Sequence, residues 1–257
     1  MHGIRSDIST NIPNKTLGRV NRVITLFNST VRSIGMNKYG ISKFYICNVD
    51  LSGKAIPYLD SVEMASVYQY SVYMYAKDLM MEHGLLNILD IGCGTGVKLA
   101  EIIYPVCQDV TGIDTKHCID ICKKQHHFGE WVADDIENPS LNLGKKFDLI
   151  IASDVIEHLI YPDLLLTYIK RCANEDTWIV ISTPERDLVR GKRHFGPAPN
   201  KAHVREWNKA EFYGYIDASG FEILDHFLAD SKKNVTDRPT QVVLCRIKKT
   251  LRHQSPN

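Results

Sequence analysis

Hydrophobic and polar positions alternate along the middle of the chain in a way that predicts strands and helices in turn. The predicted strands are short apolar runs, at residues 87–91, 110–113, 131–133, 147–152 and 178–182. The predicted helices between them lie at residues 97–104, 116–124 and 162–172. This alternation predicts a parallel sheet with helical crossovers, and the nearly continuous apolar runs predict strands that are buried on both faces.

The segments that flank this region carry other patterns. Residues 221–224 and 242–246 are predicted to pair as two closing antiparallel strands. Upstream, residues 61–83 are predicted to form a long helix, and Gly84 stands at the position of a C-terminal cap.

The first sixty residues are predicted to form a separate extension. Apolar residues spaced by three and four predict an amphipathic helix over residues 16–36. Residues 43–56 are aromatic and β-branched around Gly53, which predicts a hairpin.

The predicted fold class is therefore α/β. We expect a Rossmann-like sheet of seven mostly parallel strands with helices on both faces, plus the N-terminal helical and hairpin extension. The expected divisions are residues 1–60 for the extension, 61–248 for the catalytic domain and 249–257 for a tail.

Composition narrows the expected partners. A net charge of +1 over 257 residues offers no broad basic field for nucleic acid or an anionic membrane. No apolar run reaches the roughly 20 residues of a membrane-spanning helix, and no signal peptide is apparent. The seven cysteines lack paired spacing, which predicts reduced thiols and no metal site. We expect a soluble cytoplasmic protein with a small-molecule or glycan acceptor.

The strongest chemical signal is the segment Asp90-Ile91-Gly92-Cys93-Gly94-Thr95-Gly96. A strand ends in a carboxylate, turns on three glycines and enters a helix, whose N-terminus offers free N–H groups. A dinucleotide site expects its third glycine one residue later, at position 97, where valine stands. About twenty residues on, Asp114 ends the next strand, where a carboxylate can accept both hydroxyls of a ribose.

These two segments resemble the class I S-adenosylmethionine-dependent methyltransferases. The resemblance covers residues 61–246 and includes residues 132–136, 147–150, 153–159 and 220–224. It implies a sheet of order 3-2-1-4-5-7-6 in which the seventh strand is antiparallel, and S-adenosyl-L-methionine as cofactor.

The resemblance also implies roles for individual residues. The loop of Gly92, Cys93, Gly94 and Gly96 would lie against the methionine part of the cofactor, with Asp90 ordering the turn. Asp114 would hold the ribose, Asp134 or Asp135 the adenine amino group, and Ser153 and Gln69 would lie near the cofactor.

A narrower resemblance, over residues 183–188 and 203–207, is to methyltransferases associated with surface-polysaccharide and glycan modification. Tyr68 and Gln69 resemble the same group, although Tyr70 stands where its usual pattern has proline. This narrower resemblance implies methylation of an oxygen on a sugar or sugar derivative.

The basic segment 184–209 is predicted to recognise the acceptor. Arg186, Arg190 and Arg205 are its candidate anchors, because guanidinium groups bind phosphate or carboxylate in a bidentate manner. His158, His194 and His203 are candidate general bases for an alcohol acceptor. The alternatives are an anionic oxygen, which needs no base, a nitrogen acceptor, and a non-catalytic cofactor-binding partner.

Overall fold

A computed structural model describes residues 37–56, 65–140, 142–232 and 235–249. The chain divides into two units, residues 1–43 and 44–257. The described part of the first unit is a turn in which the Asn37 N–H donates to the Ile41 carbonyl at 2.8 Å. The helix predicted over residues 16–36 lies outside the described residues.

The second unit contains a seven-stranded sheet of order β3-β2-β1-β4-β5-β7-β6, which confirms the predicted fold class. Its first five strands pair in parallel, and β7 is antiparallel to both β5 and β6. The strands are β1 Asn87–Ile91, β2 Asp109–Asp114, β3 Glu130–Ala133, β4 Leu149–Ser153, β5 Trp178–Pro184, β6 Phe221–Lys232 and β7 Val235–Ile247.

Helices connect these strands. They are α1 Tyr70–His83, α2 Lys116–Gln125, α3 Pro162–Cys172, α4 Arg186–Arg190 and α5 Lys209–Ala218, with a π-helical segment at Leu99–Ile103 and a 3₁₀ turn at Ile156–His158. None of the helices in the described part of the chain is both long and apolar enough to cross a membrane. All seven cysteines are free thiols.

Helix α1 begins later than its pattern predicts. Gln69 has a left-handed backbone with φ of 54°, which a residue inside a right-handed helix cannot adopt. Of the predicted helical residues upstream, 61–64 lie outside the described residues. Gly84 ends the helix with φ of 66°, and its N–H donates to the Met80 carbonyl, which confirms the predicted cap.

The two closing strands are much longer than predicted, with 12 and 13 residues. Their register shifts between Ile223 and Asp225. Such an irregularity breaks the two-residue alternation on which strand prediction depends. The pattern therefore stops near Leu224, although the hydrogen-bonded ladder continues.

The predicted hairpin over residues 43–56 is wrong. Its turn exists, since the Gly53 N–H donates to the Asp50 carbonyl at 3.0 Å, but the arms do not form strands. The backbone N–H groups of Ile46 and Asn48 donate instead to the carbonyls of Phe195 and Val204. Residues 44–56 thus belong to the second unit.

The carboxyl ends of the parallel strands lie at one edge of the sheet. Asp114 on β2 is in register with Ala133 on β3, and Ser153 on β4 is in register with Ser182 on β5. In parallel α/β sheets this edge is where ligands bind. The loops that follow β1, β2, β3, β4 and β5 all begin there.

Candidate active site

The glycine loop after β1 turns tightly against β2. The N–H groups of Gly92 and Cys93 both donate to the Ile113 carbonyl, at 2.8 and 3.1 Å. Gly92 has φ of 80°, and a Cβ on it would lie 2.3 Å from Val155 Cγ2. Both the backbone angle and the close approach of Val155 require glycine here.

Asp90 lies near the end of β1, two residues before Gly92. Its side chain is fully buried and accepts a hydrogen bond from the Tyr73 hydroxyl at 2.8 Å. Burial raises the pKa of Asp90 to about 7. Asp90 is absent from the described lining of the cavity above the loop, and its Oδ1 is buried without a hydrogen-bond partner among the described residues. Its role in ordering the turn therefore stays a prediction.

A cavity of about 240 Å³ lies above the glycine loop, and we call it the loop cavity. Seven of the predicted cofactor residues line it: Gln69, Gly92, Gly94, Asp114, Asp134, Asp135 and Ser153. Cys93 and Gly96, the other predicted loop residues, are buried and are absent from its described lining. Tertiary structure thus brings residues from the ends of β1, β2, β3 and β4 around one volume.

Two carboxylates of the loop cavity accept hydrogen bonds from nearby backbone N–H groups. Asp114 Oδ2 accepts the Gly94 N–H at 2.9 Å, and its Oδ1 accepts the Thr115 N–H at 2.7 Å. Asp134 Oδ1 accepts the N–H groups of Asp135 and Ser140, at 3.0 and 3.2 Å. Both side chains are therefore oriented before any ligand binds.

A second cavity of about 250 Å³ adjoins the first, and we call it the histidine cavity. Its lining residues are Tyr68, Gln69, Asp154, Glu157, His158, Pro184, Val189, Arg190, Asn200, His203, Pro239 and Thr240. Gln69, Asp154 and His158 line both cavities. Ligands in the two cavities would therefore meet at a wall made by these three side chains.

Two of the wall residues have strained backbones. Gln69 and Asp154 are the two non-glycine residues with positive φ in the described chain, at 54° and 53°. They contact each other, because Gln69 Nε2 donates to Asp154 Oδ2 at 3.2 Å. Strain of this kind persists where surrounding contacts impose it, and it concentrates at functional sites.

Glu157, His158 and His203 form a cluster whose potential ligand atoms lie within 4.8 Å of one another. His158 Nδ1–H donates to the Ala202 carbonyl at 2.9 Å, and His203 Nδ1–H donates to Glu206 Oε1 at 2.7 Å. With Nδ1 protonated, each neutral ring carries its lone pair on Nε2. Metal-binding histidines are oriented in this way, by a carbonyl or a carboxylate on the other ring nitrogen.

Glu157 is the most constrained member of this cluster. It is 0% exposed; its Oε2 accepts the Thr183 hydroxyl at 3.0 Å, and its Oε1 is buried without a hydrogen-bond partner among the described residues. Burial, together with the nearby charge of Asp154, holds the pKa of Glu157 well above its usual range. The sequence predicts no metal site; the structure brings together a set of atoms suited to one.

The structure changes the interpretation of the three candidate bases. Burial and the adjacent His203 lower the pKa of His158 to about 3, so this side chain is a poor proton acceptor near neutral pH. His203 is engaged with Glu206. His194 is absent from the lining of both cavities, and its Nδ1 accepts the Gly196 N–H at 3.3 Å. The prediction of a general base is therefore not retained for His158 or His194.

Two of the three candidate acceptor arginines are internal. Arg186 is 2% exposed and pairs with Glu211 at 2.7 Å and Asp187 at 3.2 Å. Arg205 is 4% exposed and donates to the carbonyls of Leu159 and Ile160. Their charge and hydrogen bonds serve the fold, so the prediction that they bind the acceptor is not retained.

Arg190 differs, since it lines the histidine cavity and is about a quarter exposed. It donates to Glu206 Oε2 at 3.2 Å. Although burial alone would raise the pKa of Glu206, the hydrogen bonds from His203 and Arg190 hold this pKa below its usual value. Arg190 thus keeps ionised the carboxylate that orients His203.

Sequence reasoning missed Lys98, Asp154 and Glu157 as candidate site residues. Asp154 and Glu157 stand three residues apart, directly before His158 and after a strand. That spacing, at the carboxyl end of a parallel strand, was the available signal. Lys98 offered none, because a lysine after a glycine loop is usually a solvated helix residue.

Comparisons with known proteins agree with this arrangement. A family model described as a methyltransferase domain matches residues 54–226. The ubiquinone biosynthesis O-methyltransferase of Azorhizobium caulinodans is 26% identical over 68% of this chain and 75% of its own length. The mitochondrial enzyme of the same name from Candida albicans is 28% identical over 44% of this chain, a match that spans only 37% of the relative's length. The small RNA 2′-O-methyltransferase of Mus musculus is 27% identical over 54% of this chain and 39% of its own.

A solved structure shares the fold. An S-adenosylmethionine-dependent methyltransferase from Clostridium acetobutylicum superposes with a TM-score of 0.55 and 16% identity, covering 71% of this chain and 92% of its own. None of the relatives named here is a glycan-modifying enzyme, so the narrower resemblance over residues 183–207 receives no support from them.

Proposed function

This chain belongs to the methyltransferase-domain family, and we propose that it methylates an oxygen of a small acceptor that is held at a divalent cation. It is an S-adenosylmethionine-dependent methyltransferase, as its family match and its fold show. The oxygen acceptor and the cation are the proposed parts.

The choice of oxygen rests on the relatives. The three named above are O-methyltransferases, two for ubiquinone biosynthesis and one for the 2′-oxygen of small RNA. Each is distant, and the match to two of them covers less than half of the relative's length. The acceptor must therefore be found by experiment.

The unpartnered oxygen of Glu157 is the main support for the cation. An ionised carboxylate that is buried without a partner is strongly unfavourable, and a bound cation removes that cost. The two histidines near Glu157, whose Nδ1 atoms are already engaged in hydrogen bonds, complete a nitrogen and oxygen donor set for a first-row divalent metal. Asp154 adds a further carboxylate near Glu157.

The proposed reaction takes place at the wall shared by the two cavities. The methyl group passes from the sulfonium of the cofactor in the loop cavity to an acceptor oxygen in the histidine cavity. S-adenosylhomocysteine is released, and the hydroxyl proton leaves to solvent. A divalent cation would lower the pKa of a coordinated hydroxyl, which replaces a protein base. Gln69 and Asp154 would orient both reactants, and such positioning supplies much of the rate enhancement.

The proposed metal ligands also indicate which acceptors can bind. Three protein ligands leave open positions on a six-coordinate cation, so two adjacent acceptor oxygens can bind together. Catechols and vicinal diols, including those of ribose and other sugars, have this arrangement. A phosphorylated acceptor would find fewer cationic partners, because Arg186, Arg190 and Arg205 are all engaged within the protein.

The test is a survey of acceptors on protein stripped of metal with a chelator and then supplied with Mg²⁺ or Mn²⁺. Release of S-adenosylhomocysteine would be measured with matched pairs: catechol against phenol, and adenosine against 2′-deoxyadenosine. We expect turnover on the diol of each pair, lowered at least about a hundredfold by chelation and restored by the cation. Full turnover in chelated protein would exclude a catalytic role for a cation. Equal turnover on both members of each pair would exclude a preference for two adjacent acceptor oxygens.

Cofactor binding through Asp114 has its own test. Asp114→Ala removes a charged acceptor of hydrogen bonds, each worth roughly 1.5–3 kcal/mol. We expect the dissociation constant of S-adenosylhomocysteine, measured by calorimetry, to rise at least about tenfold. Asp109→Ala, at the opposite end of the same strand, is the control and should leave it unchanged. An unchanged constant in folded Asp114→Ala protein would contradict the ribose assignment.

A further inference from the structure

The loop cavity has one cationic side chain of lysine or arginine among its described lining residues, Lys98. Its carboxylates outnumber that charge, and they include Asp114, Asp134, Asp135 and Asp154. A cofactor with both an ammonium and a carboxylate at one end would find many partners for its ammonium. For its carboxylate, Lys98 is the charged partner that the cavity offers.

Lys98 is unusually placed for a lysine. It is only 8% exposed, and within the described chain no carboxylate lies within 4.0 Å of its Nζ. Its ammonium donates to the Ala65 carbonyl at 3.2 Å and lies 5.3 Å from the centre of the Tyr73 ring. An ammonium has three donors, and burying it without a counter-ion is costly. Among the described residues, these contacts leave the positive charge without a direct negative partner.

We propose that the Lys98 ammonium binds the carboxylate of the methionine part of S-adenosylmethionine. Lys98 follows the glycine loop by two residues, so it lies at the end of the cavity where that part of the cofactor is expected. The ion pair would form only when the cofactor is bound, and it would supply a counter-charge that the described residues do not place within 4.0 Å of the ammonium. Lys98 is then a specificity residue, which separates amino-acid-bearing adenosyl compounds from those without the carboxylate.

A purely structural role for Lys98 is the rival explanation. Its charge acts through space on the buried carboxyl groups of Asp90 and Asp154. Loss of that charge would alter the loop and the shared wall. The affinity of the cavity for every ligand would then fall by a similar factor. A role in binding the carboxylate affects only ligands that have one, so the two explanations predict different results.

The experiment compares two ligands by calorimetry: S-adenosylhomocysteine and its decarboxylated analogue, which keeps the thioether, the amine and the adenosine. Wild-type protein should bind the first at least about tenfold more tightly, as expected for a charge-assisted hydrogen bond. In Lys98→Met, the affinity for S-adenosylhomocysteine should fall by that factor while the affinity for the analogue changes less than about twofold. Lys98→Arg should retain most of the discrimination, and Lys124→Met, on the exposed side of α2, should behave as wild type.

Each outcome decides the proposal. If Lys98→Met lost affinity for both ligands by the same factor, the role of Lys98 would be to maintain the structure of the loop, and the proposal would be overturned. Equal affinities of wild-type protein for the two ligands would overturn the proposal without any variant, so it does not depend on the folding of Lys98→Met. Thermal unfolding of each variant without ligand separates a loss of stability from a loss of binding. Neither ligand requires the cation at Glu157, so failure here is distinct from failure of the proposed function.

Discussion

Glu157→Gln is expected to lower kcat by about a thousandfold, the scale of the several kcal/mol that a catalytic metal supplies. Glutamine keeps the size of the side chain but replaces a carboxylate by a neutral amide, which is a much weaker ligand. Binding of Mn²⁺ should be lost together with turnover. Electron paramagnetic resonance of Mn²⁺ measures that binding directly and needs no acceptor.

Two companion variants make this prediction specific. His203→Ala removes a second ligand and should also lose Mn²⁺, whereas Glu175→Gln, on an exposed turn, should bind it as wild type does. In chelated protein, Glu157→Gln should unfold at a temperature no lower than wild type, because it has no buried charge to desolvate. Tight Mn²⁺ binding by folded Glu157→Gln protein would refute the assignment of the ligand.

Gly92→Ala is expected to weaken S-adenosylhomocysteine binding by at least about a hundredfold. A residue with a Cβ is strained by roughly 1–2 kcal/mol at a left-handed φ, and here the Cβ would also lie 2.3 Å from Val155 Cγ2. The loop must shift to relieve this overlap, and it forms the floor of the loop cavity. Calorimetric titration with S-adenosylhomocysteine measures the loss.

Gly144→Ala is the matched control for this substitution. Gly144 has φ of 67°, so alanine is strained there too, but an added Cβ would meet nothing within 4 Å. The two variants therefore share the backbone strain and differ in the steric overlap beside the cavity. If Gly92→Ala bound the ligand as tightly as Gly144→Ala does, the glycine loop would not shape the cofactor site.

The turn after β4 explains how one short segment serves two reactants. Ser153, Asp154 and Val155 line the loop cavity, while Asp154, Glu157 and His158 line the histidine cavity. The positive φ of Asp154 allows consecutive side chains of this turn to face different volumes. Substitutions at Asp154 are thus expected to affect both cofactor and acceptor, unlike substitutions at Asp114 or Glu157.

The sequence by itself determined the fold class, the strand order implied by its resemblance, and most of the residues around the loop cavity. These signals are local: Gly92, Gly94 and Gly96 mark a tight turn, and Asp114 and Ser153 end apolar strands. Parallel pairing then brings the strand ends to one edge without further information. Local patterns were less informative for β6, where the register shift interrupts the alternation.

Only the tertiary structure decided which charged residues face a ligand. Arg186 and Arg205 look like anion anchors in the sequence, yet Glu211 and two backbone carbonyls bind their guanidinium groups inside the protein. His203 reaches Glu157 and His158 because the chain after β5 folds back over the sheet edge. A side chain's charge is local information, but its partner is chosen by long-range packing, and the partner determines whether that charge is available for chemistry.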